Sequence, residues 1–188
     1  TTDHGIAMPM AKGTLYDPGL ETYLLLRCPE RWRGGARYDE LISNIDVLPT
    51  LLEACDIDVP DRVQGRSFLP LLEGGAYAPN EQIFAEKTFH GCYDPMRCIR
   101  TGRYKYIRYF EKSSLHQIPG DIRFHGACRE LPAERYRRNA HEELYDLQVD
   151  PHERANLLDD PTVADVVKNL RARLARWMRE TDDPLLDG

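Results

Sequence analysis

The sequence predicts an α/β protein with two units: a parallel α/β unit over residues 1–76, and a small α+β unit over 77–188. In the latter a single helix packs on a four-stranded antiparallel sheet. Three observations carry this. Thr22 to Cys28 is a near-continuous apolar run between Gly19 and Pro29, the pattern of a strand covered on both faces. Met96 to Arg100 and Tyr104 to Phe110 alternate apolar and charged side chains about Thr101-Gly102-Arg103, which predicts an antiparallel hairpin with one wet face. Val163, Val166, Val167, Leu170, Leu174, Trp177 and Met178 recur at three and four, so a helix over 161–180 buries one stripe.

The remaining elements follow in order. Asp46-Val47-Leu48-Pro49-Thr50-Leu51-Leu52 predicts a helix with Asp46 as N-cap, Pro49 tolerated in the first turn, and Leu48, Leu51, Leu52 and Cys55 on one face. Pro60, Gly65, Pro70, Gly74, Gly75 and Pro79 punctuate the next stretch and place the boundary near 76. Ile83 to Glu86 and Glu143 to Leu147 supply two more strands. Asp160 with Pro161 starts the final helix. Residues 111–139 carry no motif and read as a long insertion.

Composition narrows the class. Of 188 residues 41% are hydrophobic and 30% charged, which predicts a soluble globular chain. A net charge of -6 argues against a nucleic-acid partner gripped through phosphates, and no apolar run reaches the length of about 20 residues that crosses a bilayer, so no membrane partner is expected. The basic residues Arg97, Arg100, Arg103, Lys105 and Arg108 are read as decoration of a solvated strand face. The five cysteines are odd in number, scattered and without a Cys-x-x-Cys pair, which argues against zinc or a disulfide framework and favours a reducing, cytoplasmic compartment.

The chemistry is concentrated at the start, in Asp3-His4-Gly5 and Ala11-Lys12-Gly13-Thr14-Leu15-Tyr16-Asp17-Pro18-Gly19. An oxygen ligand, an imidazole and a fixed positive charge make an anion-handling set. These segments, with Gly65-Arg66-Ser67-Phe68-Leu69-Pro70-Leu71-Leu72, Arg100-Thr101-Gly102-Arg103-Tyr104-Lys105-Tyr106 and Glu143-Leu144-Tyr145-Asp146-Leu147 followed by Asp150-Pro151-His152-Glu153, resemble the sulfatase family of the alkaline phosphatase superfamily. Tyr93-Asp94-Pro95-Met96-Arg97 and the Trp177 to Pro184 segment are similar to the heparan N-sulfatase (N-sulfoglucosamine sulfohydrolase) branch.

The resemblance implies an alkaline-phosphatase-like sandwich whose C-terminal part this chain supplies. It implies that Asp3 and His4 are ligands of a divalent cation, calcium by family habit, with manganese or zinc as alternatives because His4 brings nitrogen. Alternatively, His4 is implied as an acid beside the metal or as a hydrogen-bond donor that binds the sulfate. Lys12 is implied as the cation that contacts the sulfate. His90 and Arg97 are expected to touch substrate at the rim, while His116, His125, His141 and His152 are read as surface residues. The nucleophile, a formylglycine, is expected upstream, since neither Cys28 nor Cys92 stands in Cys/Ser-x-Pro-x-Arg.

The expected partners are therefore a sulfated small molecule or sugar, the remainder of the catalytic domain, and a second copy of the chain. Residues 1–188 alone are expected to be inactive and to expose an apolar face about Thr22 to Cys28 and the Asp46 helix. Two other readings stand beside this one: a phosphodiesterase or phosphonate monoester hydrolase using the same metal and anion chemistry, and a non-catalytic interaction module.

Overall fold

Strand alternation sends side chains to two faces of one sheet, and each face finds its own cover. The computed structural model describes all residues other than 33, 112, 114, 125, 131, 139, 140, 187 and 188. Strands β1 (Gln82–Phe89), β2 (Tyr93–Thr101), β3 (Tyr104–Tyr109) and β4 (Glu142–Asp146) lie in the order β1-β2-β3-β4. β2 and β3 pair antiparallel with Ile99 opposite Tyr106, and β3 and β4 do so with Tyr106 opposite Leu144. The helices are α1 (Asp17–Leu20), α2 (Val47–Ala54), α3 (Leu69–Leu72), α4 (Gly120–Arg123), α5 (Gly126–Glu130) and α6 (Ala164–Glu180).

One face of the sheet presents Met96, Cys98, Ile107, Tyr109 and Tyr145, and Leu15 and Tyr16 pack onto it. The other presents Ile99, Tyr106 and Leu144 to Val167, Leu170, Leu174 and Met178 of α6, the stripe expected from spacing. Each such aliphatic side chain removed from water contributes about 1.5–3 kcal/mol. Asp160 starts the helical segment as predicted, its carboxylate accepting from the Thr162 amide at 2.8 Å.

Because both faces are covered, the expected solvated face fails at Arg97 and Lys105, while Arg103 in the β2–β3 turn is exposed as expected. Arg97 is 1% and Lys105 0% exposed. Lys105 Nζ lies 2.5 Å from Asp17 Oδ1 and 2.8 Å from Glu153 Oε1, and Arg100 joins Asp17 at 3.2 Å. A charge taken out of water must meet an opposite charge. The N-terminal segment and the Asp150 turn bring those carboxylates to the sheet. Burial of Glu153 raises its pKa, with Lys105 acting against that.

The chain divides into residues 1–24 with 84–188, and residues 25–83. Residues near the N-terminus belong with the sheet because Leu15, Tyr16 and Asp17 complete its face.

In residues 25–83, α2 begins at Val47 with Pro49 in its first turn. Asp46 does not cap α2. Its carboxylate instead accepts from the Ser43 amide at 2.9 Å, the Arg66 amide at 2.8 Å and Asn80 Nδ2 at 2.9 Å, tying three segments together. The side of α2 that is buried carries Pro49 and Thr50, not the expected leucines, and the Thr50 hydroxyl accepts from the Phe68 amide at 3.0 Å. Leu48 and Leu51 are exposed. The predicted strand over Thr22 to Cys28 is also not formed. No strand among the described residues runs beside it, and Tyr23 and Leu25 stay 77% and 87% exposed.

Candidate anion site

Asp3-His4-Gly5 is held by backbone packing. The Gly5 amide donates to the Gly19 carbonyl at 2.9 Å and the Ile6 amide to the Pro18 carbonyl at 3.0 Å. A side chain at residue 5 would collide with the Pro18 carbonyl, so only glycine allows the approach. The Lys12 amide then donates to the Ile6 carbonyl at 3.2 Å, which returns the lysine to the segment carrying Asp3 and His4. A turn this closely packed fixes where its polar side chains begin.

His4 Nδ1 lies 2.7 Å from the Gly5 carbonyl oxygen. A carbonyl can only accept, so Nδ1 carries a proton and donates to it. Nε2 in turn is 3.8 Å from Asp3 Oδ1. A carboxylate oxygen and the second ring nitrogen are thus presented together, with the ring oriented by its bond to the Gly5 carbonyl. Two donors 3.8 Å apart are at most a fragment of a cation's shell. No group of three or more His, Cys, Asp or Glu that could hold a metal occurs among the described residues. Calcium, which takes six to eight oxygens, would need most of its ligands from elsewhere.

Lys12 is held by a partner the sequence did not announce. Its Nζ donates to Asp121 Oδ2 at 2.5 Å, Asp121 lying in α4. The lysine holds the Asp121 carboxyl below its usual range, and His90 adds to this from the β1–β2 turn. His90 is exposed. Lys12, Asp121 and His90 therefore form one electrostatic group.

Arg97 corrects the expectation of a substrate contact. Nε donates to Asp183 Oδ2 at 2.6 Å, Nη2 to Asp183 Oδ1 at 3.1 Å and to Thr88 Oγ1 at 3.0 Å, and Nη1 to the Lys87 and Met96 carbonyls at 3.1 and 2.9 Å. A guanidinium has five N–H donors, and all are satisfied inside the protein. Asp183 stays ionised well below the usual range because these bonds outweigh the effect of burial.

A second polar group underlies the site. Lys87 Nζ donates to the Gly13 carbonyl at 2.8 Å and to Asp94 Oδ2 at 2.8 Å, and Asp94 also holds Arg138. Burial opposes ionisation of Asp94, but Arg138 and Lys87 lower its pKa. His116, expected at the surface, is 5% exposed. Its Nε2 is 3.2 Å from the Tyr16 hydroxyl, and the Tyr16 and Tyr109 hydroxyls donate to Glu143 Oε2 at 2.9 and 3.1 Å. Burial, then the nearby Arg138 charge, pushes His116 down to about 4. Among the other histidines, His141 and His152 are exposed as expected, and His125 lies outside the described residues. Asp121, Arg138 and His116 all come from 111–139, where no motif could flag them.

Residues 5–120 match the family model described as N-sulphoglucosamine sulphohydrolase, C-terminal. The chain belongs to this sulfatase family. An ulvan-active sulfatase of Formosa agariphila is 32% identical over 98% of the chain, and the human N-sulphoglucosamine sulphohydrolase 29% identical over 98%. The chain spans 38% and 41% of those two relatives. A phosphonate monoester hydrolase of Silicibacter pomeroyi matches 94% of the chain and 32% of its own at TM-score 0.65 and 22% identity, a likeness of fold. Homologues of this sulfatase family are hydrolases of sulfate esters and N-sulfates by name, and no helix among the described residues is long and apolar enough to cross a membrane.

Proposed function

We propose that this chain is the C-terminal part of an enzyme that hydrolyses a sulfate ester or N-sulfate of a sugar, and that its own contribution is one wall of the sulfate pocket. The observation that carries the reading is the return of Lys12 to the Asp3-His4 segment through the Ile6 carbonyl, in a chain that matches the sulfatase model. Lys12 would bind the sulfate and neutralise charge that grows on its oxygens as the bond to the sugar breaks. Asp3, through its carboxylate, and His4, through Nε2, would hold a divalent cation, with Nδ1–H to Gly5 fixing the ring. Calcium, manganese or zinc would act there as a Lewis acid. His90, exposed at the rim, would contact the sugar. The formylglycine nucleophile would come from residues outside this chain. The five unpaired thiols favour a reducing compartment.

The test is hydrolysis of N-sulfated and O-sulfated glucosamine by the purified parent protein. Lys12→Ala is expected to lower kcat by about a hundredfold to a thousandfold. Unchanged turnover in Lys12→Ala, or activity by residues 1–188 alone, would overturn the assignment.

A further inference from the structure

The carboxylate that meets Lys12 is placed there by construction. Gly13, next to the lysine, has φ +86°, and a side chain on it would meet Pro119 Cγ at 2.8 Å and Cδ at 3.2 Å. The segment bearing Asp121 is therefore seated directly on the Lys12-Gly13 backbone. From the other side Lys87 Nζ grips the Gly13 carbonyl at 2.8 Å. The same segment is fastened twice more, by Arg138 to Asp94 and by His116 to Tyr16. Its tip nevertheless opens outward: the Asp121 side chain is 54% exposed and that of Lys12 17%. A half-exposed ion pair contributes little to stability, so stability does not account for an acid beside a sulfate-binding lysine.

The consequence lies in what the pair can accept. A lone anion approaching Lys12 Nζ meets a carboxylate 2.5 Å from that nitrogen and gains little net attraction. An anion carried next to a hydrogen-bond donor satisfies both members, since the ionised carboxylate only accepts. A second anion at that place meets uncompensated like charge. Resting on the reading of Lys12 as the sulfate-binding cation, we propose that Asp121 is a selectivity residue. It accepts a hydrogen bond from a hydroxyl or ammonium on the carbon beside the sulfated one, and it rejects sugars bearing a second sulfate or a carboxylate there.

The experiment compares the wild-type parent protein with Asp121→Asn and Asp121→Ala on two sugars, one monosulfated with a free neighbouring hydroxyl and one sulfated at both positions. Inorganic sulfate serves as a competitive inhibitor without a donor group. Asp121→Asn keeps an acceptor for Lys12 and removes the charge. It is expected to erode the preference in kcat/KM for the monosulfated sugar by about tenfold or more, chiefly through a lower KM for the doubly sulfated one, and to tighten inhibition by sulfate about as much. Tm should not move. A preference and a sulfate inhibition unchanged in both variants would overturn the proposal. So would a parallel loss on both sugars with a lowered Tm, the mark of a purely structural tie. Wild-type protein that hydrolyses neither sugar would instead sink the sulfatase reading on which the proposal stands.

Discussion

His116 illustrates how much one side chain can control. Its ring packs edge-on against Tyr16 and Tyr109, at centroid distances of 5.5 and 5.8 Å, beside Arg138, Asp94, Lys87 and Glu143. Its pKa falls from an ordinary value of 6.5 to about 4 in the folded chain. A lowered histidine pKa means that the unfolded state binds the proton more readily. Stability is therefore complete above about pH 6.5 and drains away as pH falls toward 4, by on the order of 3 kcal/mol. Thermal unfolding followed between pH 7 and 4 should show this slope in the wild type. In His116→Gln the slope should flatten. An equal slope in both would assign the pH dependence to other groups. Asp94 and Asp183, whose pKa values are lowered, contribute losses only below the usual carboxylate range.

At the scale of elements, the tail that follows α6 is fastened to β2 by the Arg97–Asp183 pair, with both side chains no more than 2% exposed. Asp183→Ala should cost about 3–5 kcal/mol, since it leaves the buried guanidinium facing only the more exposed Glu86 carboxylate at 3.4 Å, whereas replacing both residues with apolar ones of similar volume should cost far less. Equilibrium denaturation of the two variants measures the difference. Equal losses would show that the pair acts by packing alone. The strands and α6 are legible in the sequence because alternation of two and recurrence at three and four are local signals. The fate of Arg97 and Lys105 is not. A charged residue on a strand reads as solvent-facing until the covering segment is known, and the carboxylates that pair with them stand 86 positions away for Arg97 and at Asp17 and Glu153 for Lys105. Asp3, His4 and Lys12 stand out as candidates because they sit within a short motif. Asp121, which bonds Lys12 across 109 positions, cannot.

On the scale of the molecule, residues 25–83 leave Leu25, Ile45, Leu48, Leu51, Ile57 and Val59 exposed, between 38% and 87% each. Scattered apolar residues are ordinary on surfaces, but this many in one small unit expect a covering partner. Residues 1–188 alone should self-associate, and light scattering across a concentration series should show mass rising with concentration. A constant monomer mass would mean that these residues need no cover. The apolar run at Thr22 to Cys28 wants burial, as its composition says, but no strand among the described residues runs beside it, because periodicity reports what a segment prefers and not whether a neighbour is there to satisfy it.

The joining of Asp17 to Glu153, by an amide-to-carboxylate bond of 2.6 Å across 136 positions, also sets a timetable for biosynthesis. The ammonium of Lys105 needs both ends of that span before it can be sealed away. While the ribosome is still adding the stretch between them, the hairpin it belongs to stays ajar and one side of it faces water. Closure of so distant a loop is slow, and a nascent chain interrupted before residue 153 should be left with an open sheet, the state in which strand edges find the wrong neighbours.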